Sequence, residues 1–366
     1  MSLVLLGLGT AGPEFSIDQG EAATIAGTFI HGDQKAKRAL PCLFRRTHVE
    51  RRRSVLLDSR NGNGPRQSFY PAAVFADDRG PGTEQRMDRY ASDAAPLAMN
   101  AAREALADAQ VSTQEITHLI TVSCTGFNAP GVEFKLIDEL GLSSAVSRVN
   151  VGFMGCHGVL NGLGVAKAFA TADSASRILM CAVELCSLHY QYRSDPQHLV
   201  ANALFADGAA ALVAGPLVAR ADADAEPWSL GAVGSYMIPN AEDAMTWRIG
   251  DHGFHMTLSP RVPDLIAEHL RPWLAGWLET QRLTIEDVAS WAIHPGGPRI
   301  VESVAAALEL PSDATQVSYE VLREHGNMSS ATILYVLERL RRRRAPLPCL
   351  ALGFGPGLVA EAALFV

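Results

Sequence analysis

The chain has 366 residues, 48% of them hydrophobic and 19% charged, enough for two layered halves sharing a large core and too much for one small domain. A net charge of −8 argues against nucleic acid or an anionic membrane as the main partner. Six scattered cysteines without a CxxC pair exclude a disulfide framework and a zinc ribbon and point to the reducing cytoplasm, and no stretch approaches the roughly 18–20 apolar residues of a membrane span.

Residues 3–8 form an apolar run without a charged leader or a cleavage site and read as the first strand of a soluble protein. After the turn Gly9-Thr-Ala-Gly-Pro13 a helix is expected over about 17–31. Residues 35–53 gather Lys35, Lys37, Arg38, Arg45, Arg46, Arg51, Arg52 and Arg53, in an acidic chain either a local anion site or a solvated face. Segment 59–83, rich in Gly, Pro, Asn and Asp, reads as a long loop. Over 85–109, Ala95, Met99, Ala102, Leu106 and Ala109 recur at three- and four-residue steps and build an apolar helical stripe, which Pro96 should kink or break. A strand at 118–124, a helix near 131–140, a strand at 147–151, a helix to about 171, a strand at 177–183, a helix near 197–205 and a strand at 209–214 complete a first half.

Residues 216–227 are the best candidate for a connection, dividing the chain into 1–218 and 226–366. Beyond it the pattern restarts: a strand at 228–235, an irregular stretch, a helix over 262–279, a strand at 290–293, a helix over 299–308, a strand at 316–318, a helix over 329–343, and strands at 349–353 and 360–365. Short apolar strands alternating with helices in two successive halves imply α/β layers with mixed sheets. The duplication lies in element order, since no sequence repeat is visible.

The stretch Arg148-Val-Asn-Val-Gly-Phe-Met-Gly-Cys156-His-Gly-Val-Leu-Asn-Gly-Leu-Gly164 places Cys156 where a strand turns into a helix. There, unpaired backbone N–H groups and the positive end of the helix dipole favour thiolate over thiol. A buried structural cysteine in a Gly-rich packing helix is the alternative, and partners elsewhere decide between the two. His294 ends an apolar strand before Pro295-Gly-Gly-Pro298, and Asn327, in His325-Gly-Asn-Met-Ser-Ser-Ala331, stands at the mouth of a helix. Alone, the first reads as a capped strand end and the second as a helix cap. Strand ends and helix N-termini also face the crevice where α/β proteins bind ligands. Together the three residues can transfer an acyl group, the thiolate attacking a thioester while imidazole and amide hydrogen-bond an oxyanion. Papain-like proteases share this trio, but their Cys-Gly-Ser-Cys-Trp context is absent and Cys156 lies mid-chain.

The ordered set Gly155-Cys156, Leu204-Phe-Ala-Asp-Gly208, Ile293-His-Pro-Gly-Gly-Pro298, Gly326-Asn-Met-Ser-Ser-Ala331 and Gly353-Phe-Gly-Pro-Gly357 resembles the chalcone synthase, or type III polyketide synthase, family over nearly the whole chain. The resemblance implies a thiolase-like duplicated αβαβα fold with mixed β-sheets, a homodimer, and free coenzyme A thioesters as substrates without metal or prosthetic group. It implies that Cys156 accepts the acyl group, and that His294 and Asn327 assist decarboxylation of malonyl-CoA and hold the enolate. Phe205 and Phe254 match the two gatekeeper phenylalanines, and Gly353, Phe354, Gly355, Pro356 and Gly357 match the loop shaping the cyclisation cavity. An ion pair between Cys156 and His294 would keep the thiolate charged.

Other positions depart from the plant pattern. Cys186 and His189 stand where plant enzymes often carry threonine, Cys124 looks like the extra cavity cysteine of bacterial tetrahydroxynaphthalene synthases, and Ala129 replaces a methionine presented across the dimer interface. These resemble bacterial members and favour a fatty acyl or malonyl starter. Within the basic stretch, Arg45, Arg46 and Arg51 are candidates for the coenzyme A phosphates, as is Arg299; the run Arg341–Arg344 reads as a solvated helix end. The expected reaction is iterative condensation of malonyl-CoA onto an acyl starter and closure to a pyrone, resorcinol or related ring. Two other readings stand beside it: a single-round ketoacyl synthase using acyl carrier protein, and a non-catalytic CoA-thioester-binding protein.

Overall fold

A computed structural model describes residues 3–58, 67–216 and 227–366. In chain order the first part contains β1 (Leu3–Ala11), β2 (Ser16–Asp18), α1 (Gln19–Thr28), α2 (Gln34–Arg45), β3 (Arg51–Arg53), α3 (Thr83–Ala109), β4 (His118–Ser123), α4 (Val132–Leu140), β5 (Ser147–Gly152), α5 (Gly158–Ala172), β6 (Ile178–Leu185), α6 (Pro196–Leu204) and β7 (Asp207–Gly215). The second contains β8 (Ser229–Met237), β9 (Met245–Gly250), β10 (Gly253–Leu258), α7 (Val262–Thr280), β11 (Ser290–Ile293), α8 (Pro298–Leu308), α9 (Gln316–His325), α10 (Thr332–Arg342), β12 (Cys349–Gly355) and β13 (Val359–Phe365).

The duplication expected from element order recurs in strand pairing. The main sheet runs β11-β12-β13-β8-β1-β7-β6-β4-β5. From its centre outward, β1 pairs antiparallel with β7, β7 antiparallel with β6, and β6 parallel with β4. On the other side β8 pairs antiparallel with β13, β13 antiparallel with β12, and β12 parallel with β11. The two wings meet where Leu3 and Val4 face Leu230 and Ser229. Between the wings lie α5 and α10, whose Leu160, Leu163, Leu334 and Leu337 join residues of both wings, such as Met180 and Ala351, in one core. The alanine stripe of α3 covers the outer face of one wing, and α7 with α8 covers the other. This is the thiolase-like α/β layering, and it buries β1, β4, β6, β7, β11, β12 and β13 on both faces, which is why they read as continuous apolar runs, whereas the edge strand β5 stays largely exposed. The closeness of α3 depends on Gly7 and Gly9, where an added Cβ would fall 2.4 Å from backbone atoms of Ala105 and Ala109, or of Ala101 and Ala105.

Several expectations are corrected. Residues 316–318 are the first turn of α9 rather than a strand; Val317, Val321 and Leu322 bury one helical face, a period that a three-residue β-branched reading cannot register. The helix expected from residue 17 begins at Gln19, because Ser16–Asp18 pairs with Arg51–Arg53. The basic stretch contains α2 and β3, and α3 runs on through Pro96. The stretch taken as irregular holds the β9–β10 hairpin, with Phe254 opposite Ile249. Residues 217–226 of the connection and residues 59–66 of the 59–83 loop lie outside the described residues. Among the described residues, no helix is long and apolar enough to cross a membrane.

Arg86 of α3 ties this hairpin to the site. Fully buried, it donates from Nη1 to Tyr70 Oη and to the carbonyls of Leu188 and Tyr190, and from Nε to Pro81 O. Gly253, at φ +90°, lies so close that a Cβ would stand 2.7 Å from Arg86 Nη1. Replacing Arg86 by methionine strands those acceptors. It should cost about 3 kcal/mol or more in chemical denaturation.

Candidate active site

Cys156 sits in a single 3₁₀ turn, Gly155–His157, leading into α5. Gly155 has φ +75°, and a Cβ there would meet Pro356 Cδ at 2.3 Å, so glycine lets the turn nest against the Gly353–Gly357 segment. The Cys156 side chain keeps part of its surface open to a cavity. Ser329 Oγ donates to Cys156 Sγ at 3.7 Å. The Asn327 amide also acts on the thiol, and Asn327 Oδ1 accepts from Ser329 N at 2.8 Å. Asn327 Nδ2 donates to Gly296 O at 3.4 Å, which joins it to the turn after His294. His294 extends the β11–β12 ladder through its N–H to Leu352 O, beside Gly353, whose neighbours are the Cβ atoms of His294 and His157. Asn327, far from Cys156 in sequence, thus acts directly on its thiol, while His294 joins Asn327 through the Gly296 turn and lies, across Gly353, by His157, the residue after Cys156.

The expected Cys156–His294 ion pair is absent from this resting geometry. Both ring nitrogens of His294 are buried without a hydrogen-bond partner. Burial pushes the Cys156 thiol up to about 11 and the His294 imidazole down to about 3, so neither charge is stable by itself.

A carboxylate braces the floor. Buried Glu184 accepts from Thr125 Oγ1 at 2.7 Å, from Cys124 N at 3.0 Å and from Ser330 Oγ. Burial raises its pKa. Cys124 Sγ donates to Glu184 Oε1 at 3.4 Å and lies 3.0 Å from Ser329 Oγ, so Glu184, Cys124, Ser329 and Cys156 form a chain of contacts. Burial and the Glu184 charge lift the Cys124 thiol well above its ordinary range, a reserve of neutral thiol rather than a second nucleophile.

The cavity is lined by Cys124, Cys186, His189, Phe205, Phe254 and Pro356 together with Cys156. Phe254 stacks on His189 at 4.1 Å between ring centroids. His189 accepts from Phe254 N at Nδ1, and its Nε2 reaches Thr125 O at 2.6 Å, so both nitrogens are occupied; burial drops its pKa to about 3. Phe205 lines this cavity and also a second, outer one, where Ala201 and Met256 again stand on the boundary. Arg46 and Arg299 both line the outer cavity. Arg45 is exposed outside both linings, and Arg51 pairs with Asp18 at 3.5 Å. Of the other basic residues, Arg52 is buried, its Nη1 bonded to the carbonyls of Asn202 and Phe205, while Arg341 pairs with Asp108 at 2.6 Å rather than being merely solvated. Ala129 is exposed beside Phe127, outside the cavity of its own chain.

Sequence reasoning assigned no role to Glu184, Ser329, Trp247 or His198. Trp247 donates from Nε1 to Cys124 O at 2.7 Å from the unexpected hairpin. The turn Gly250-Asp-His-Gly253 between two alternating runs carried the signal for that hairpin.

Comparison with known proteins identifies the family of the chain. The chain matches the family described as chalcone and stilbene synthases, N-terminal domain over residues 2–217 and C-terminal domain over residues 230–366. It is 32% identical to the "alpha-pyrone synthesis polyketide synthase-like Pks18" of Mycobacterium tuberculosis, over 99% of this chain and 90% of that one. It is 37% identical to the 1,3,6,8-tetrahydroxynaphthalene synthase of Streptomyces peucetius, over 72% of this chain and 71% of that one. The crystal structure of PKS-I from the brown alga Ectocarpus siliculosus superposes with a TM-score of 0.91 at 30% identity, covering 100% of this chain and 98% of that one. The chain therefore belongs to the chalcone and stilbene synthase family and is a type III polyketide synthase, an acyl-transferring condensing enzyme.

Proposed function

We propose that a fatty acyl group delivered by coenzyme A loads onto Cys156, that malonyl-CoA units extend it, and that the chain closes to an α-pyrone. One observation carries the reading: an outer cavity bearing Arg46 and Arg299 abuts, across Phe205, the inner cavity that holds Cys156. That arrangement suits an anionic carrier held outside while its acyl arm reaches the thiol. In this reading His294 and Asn327 supply the hydrogen bonds for the malonyl enolate and thioester oxygen. The fatty acyl starter is favoured by the mostly apolar side chains of both linings, and the pyrone by the name of the mycobacterial relative. A homodimer belongs to the same reading: Phe127, Phe134 and Met154 are exposed large apolar residues on the segments flanking Ala129 and Cys156.

Incubation with malonyl-CoA alone, then with octanoyl- or palmitoyl-CoA, followed by mass spectrometry, tests this. Acyl-primed ketides support the reading. Product from malonyl-CoA alone assigns a malonyl starter, and turnover only with acyl carrier protein assigns the single-round alternative. A Cys156 that stays unmodified by iodoacetamide under all conditions assigns a binding protein. For the double variant Arg46→Ala/Arg299→Ala, the expected outcome is a KM for acyl-CoA raised roughly tenfold or more with little change in kcat, as loss of charge-assisted phosphate contacts dictates. Steady-state kinetics at two salt concentrations checks it.

A further inference from the structure

One histidine of the inner cavity has no part in the chemistry above. His198 lies on α6 one turn before Ala201 and Asn202, and these three line the cavity together with Phe205, the residue that ends the helix. Its Nδ1 is held by the carboxylate of Asp195 at 2.7 and 2.8 Å, and Asp195 also caps the helix by accepting from His198 N. Against burial, which raises it, these bonds keep the Asp195 pKa below the ordinary value. A charged carboxylate on Nδ1 fixes the proton there and leaves Nε2 as a bare lone pair. That Nε2 is buried and has no hydrogen-bond partner. The other histidine of this lining, His189, has both nitrogens engaged. The oxygens of Thr125 and Ser329 are likewise committed, to Glu184 and to the cysteines.

A poly-β-keto chain offers one class of strong donor to such an acceptor, its enol hydroxyls. We propose that His198, oriented by Asp195, is the general base that closes the product ring. It takes the proton of the C5 enol hydroxyl as that oxygen attacks the C1 thioester carbon. The new C–O bond forms, the C–S bond breaks, and the expelled thiolate recovers the proton from the imidazolium, which the Asp195 carboxylate stabilises in the interval. The arrangement follows the logic of carboxylate-oriented histidine bases generally. It rests on the polyketide reading of the cavity and adds the group that acts after the last condensation.

The test bypasses condensation. A synthetic 3,5-dioxodecanoyl thioester of N-acetylcysteamine is given to the wild type and to the His198→Gln and Asp195→Asn variants, and pyrone release is followed against buffer alone. Asparagine keeps a capping oxygen but not the charge, so Asp195→Asn separates the base from the fold; melting temperatures are recorded for all three. The wild type should close the ring faster than buffer, and each variant should lose at least tenfold in kcat while KM changes less. A wild type no faster than buffer overturns the proposal, as do variants as fast as the wild type or variants altered only in KM. The outcome is independent of the acyl-CoA and malonyl-CoA assay, whose failure would count against the proposed function instead.

Discussion

A Cys156→Ala enzyme should release no polyketide, a fall of roughly 10⁴-fold or more, as expected when a covalent nucleophile is removed. The expectation depends on there being no substitute. Cys124, the thiol in the same chain of contacts, is pinned by Glu184 and Ser329 and held well above its ordinary pKa. Cys186 is buried and pushed up in the same way, so neither presents thiolate at neutral pH. On the proposed mechanism the alanine variant should still convert malonyl-CoA to acetyl-CoA, because decarboxylation there calls on His294 and Asn327 as enolate donors rather than on a sulfur nucleophile. Mass spectrometry of the protein and of the small molecules separates the two steps. Polyketide made by the purified variant at more than trace level would sink the role of Cys156.

How much of this was legible in the sequence depended on whether a residue's signal was local. Cys156, His294 and Asn327 each stand beside glycines that end a strand or open a helix, and such punctuation survives in one dimension. The wings were legible for the same reason, since strands buried on both faces read as apolar runs. Glu184 lacked any local sign of its role. It ends a strand like many acids, and only folding brings Thr125, Cys124 and Ser330 around it. His198 looked like a polar helix residue until Asp195 and the cavity gave it a direction. Arg45, Arg46, Arg51 and Arg52 were indistinguishable as charges, yet the end of α2 and the register of β3 send them to solvent, to the outer cavity, to Asp18 and into the core. The β9–β10 hairpin shows the reverse case, a local signal present and passed over: the glycine turn 250–253 lies between two alternating runs, yet the stretch reads as irregular when Phe254 is taken alone.

The other large effect concerns charge in the resting site. If the Cys156 thiolate exists only as a partner of imidazolium, then removing His294 should leave a thiol that burial keeps protonated at neutral pH. The wild type should then be alkylated by iodoacetamide near neutral pH, whereas His294→Ala should react roughly 10²-fold more slowly at pH 7, its rate climbing with pH into the alkaline range. The sign follows from the two burial shifts. An isolated thiol pushed up stays protonated below its pKa, and an isolated imidazole pushed down stays neutral above its own, so at pH 7 either group alone is uncharged. Proton transfer from Sγ to the imidazole creates both charges at once, and each then offsets the cost of burying the other, with the N–H groups opening α5 favouring the anion further. The free nitrogens of His294 leave it ready to accept that proton. A wild-type profile that itself rises only above pH 10, overlaying that of His294→Ala, would mean that no such pair forms and that the thiol is activated only once substrate is bound.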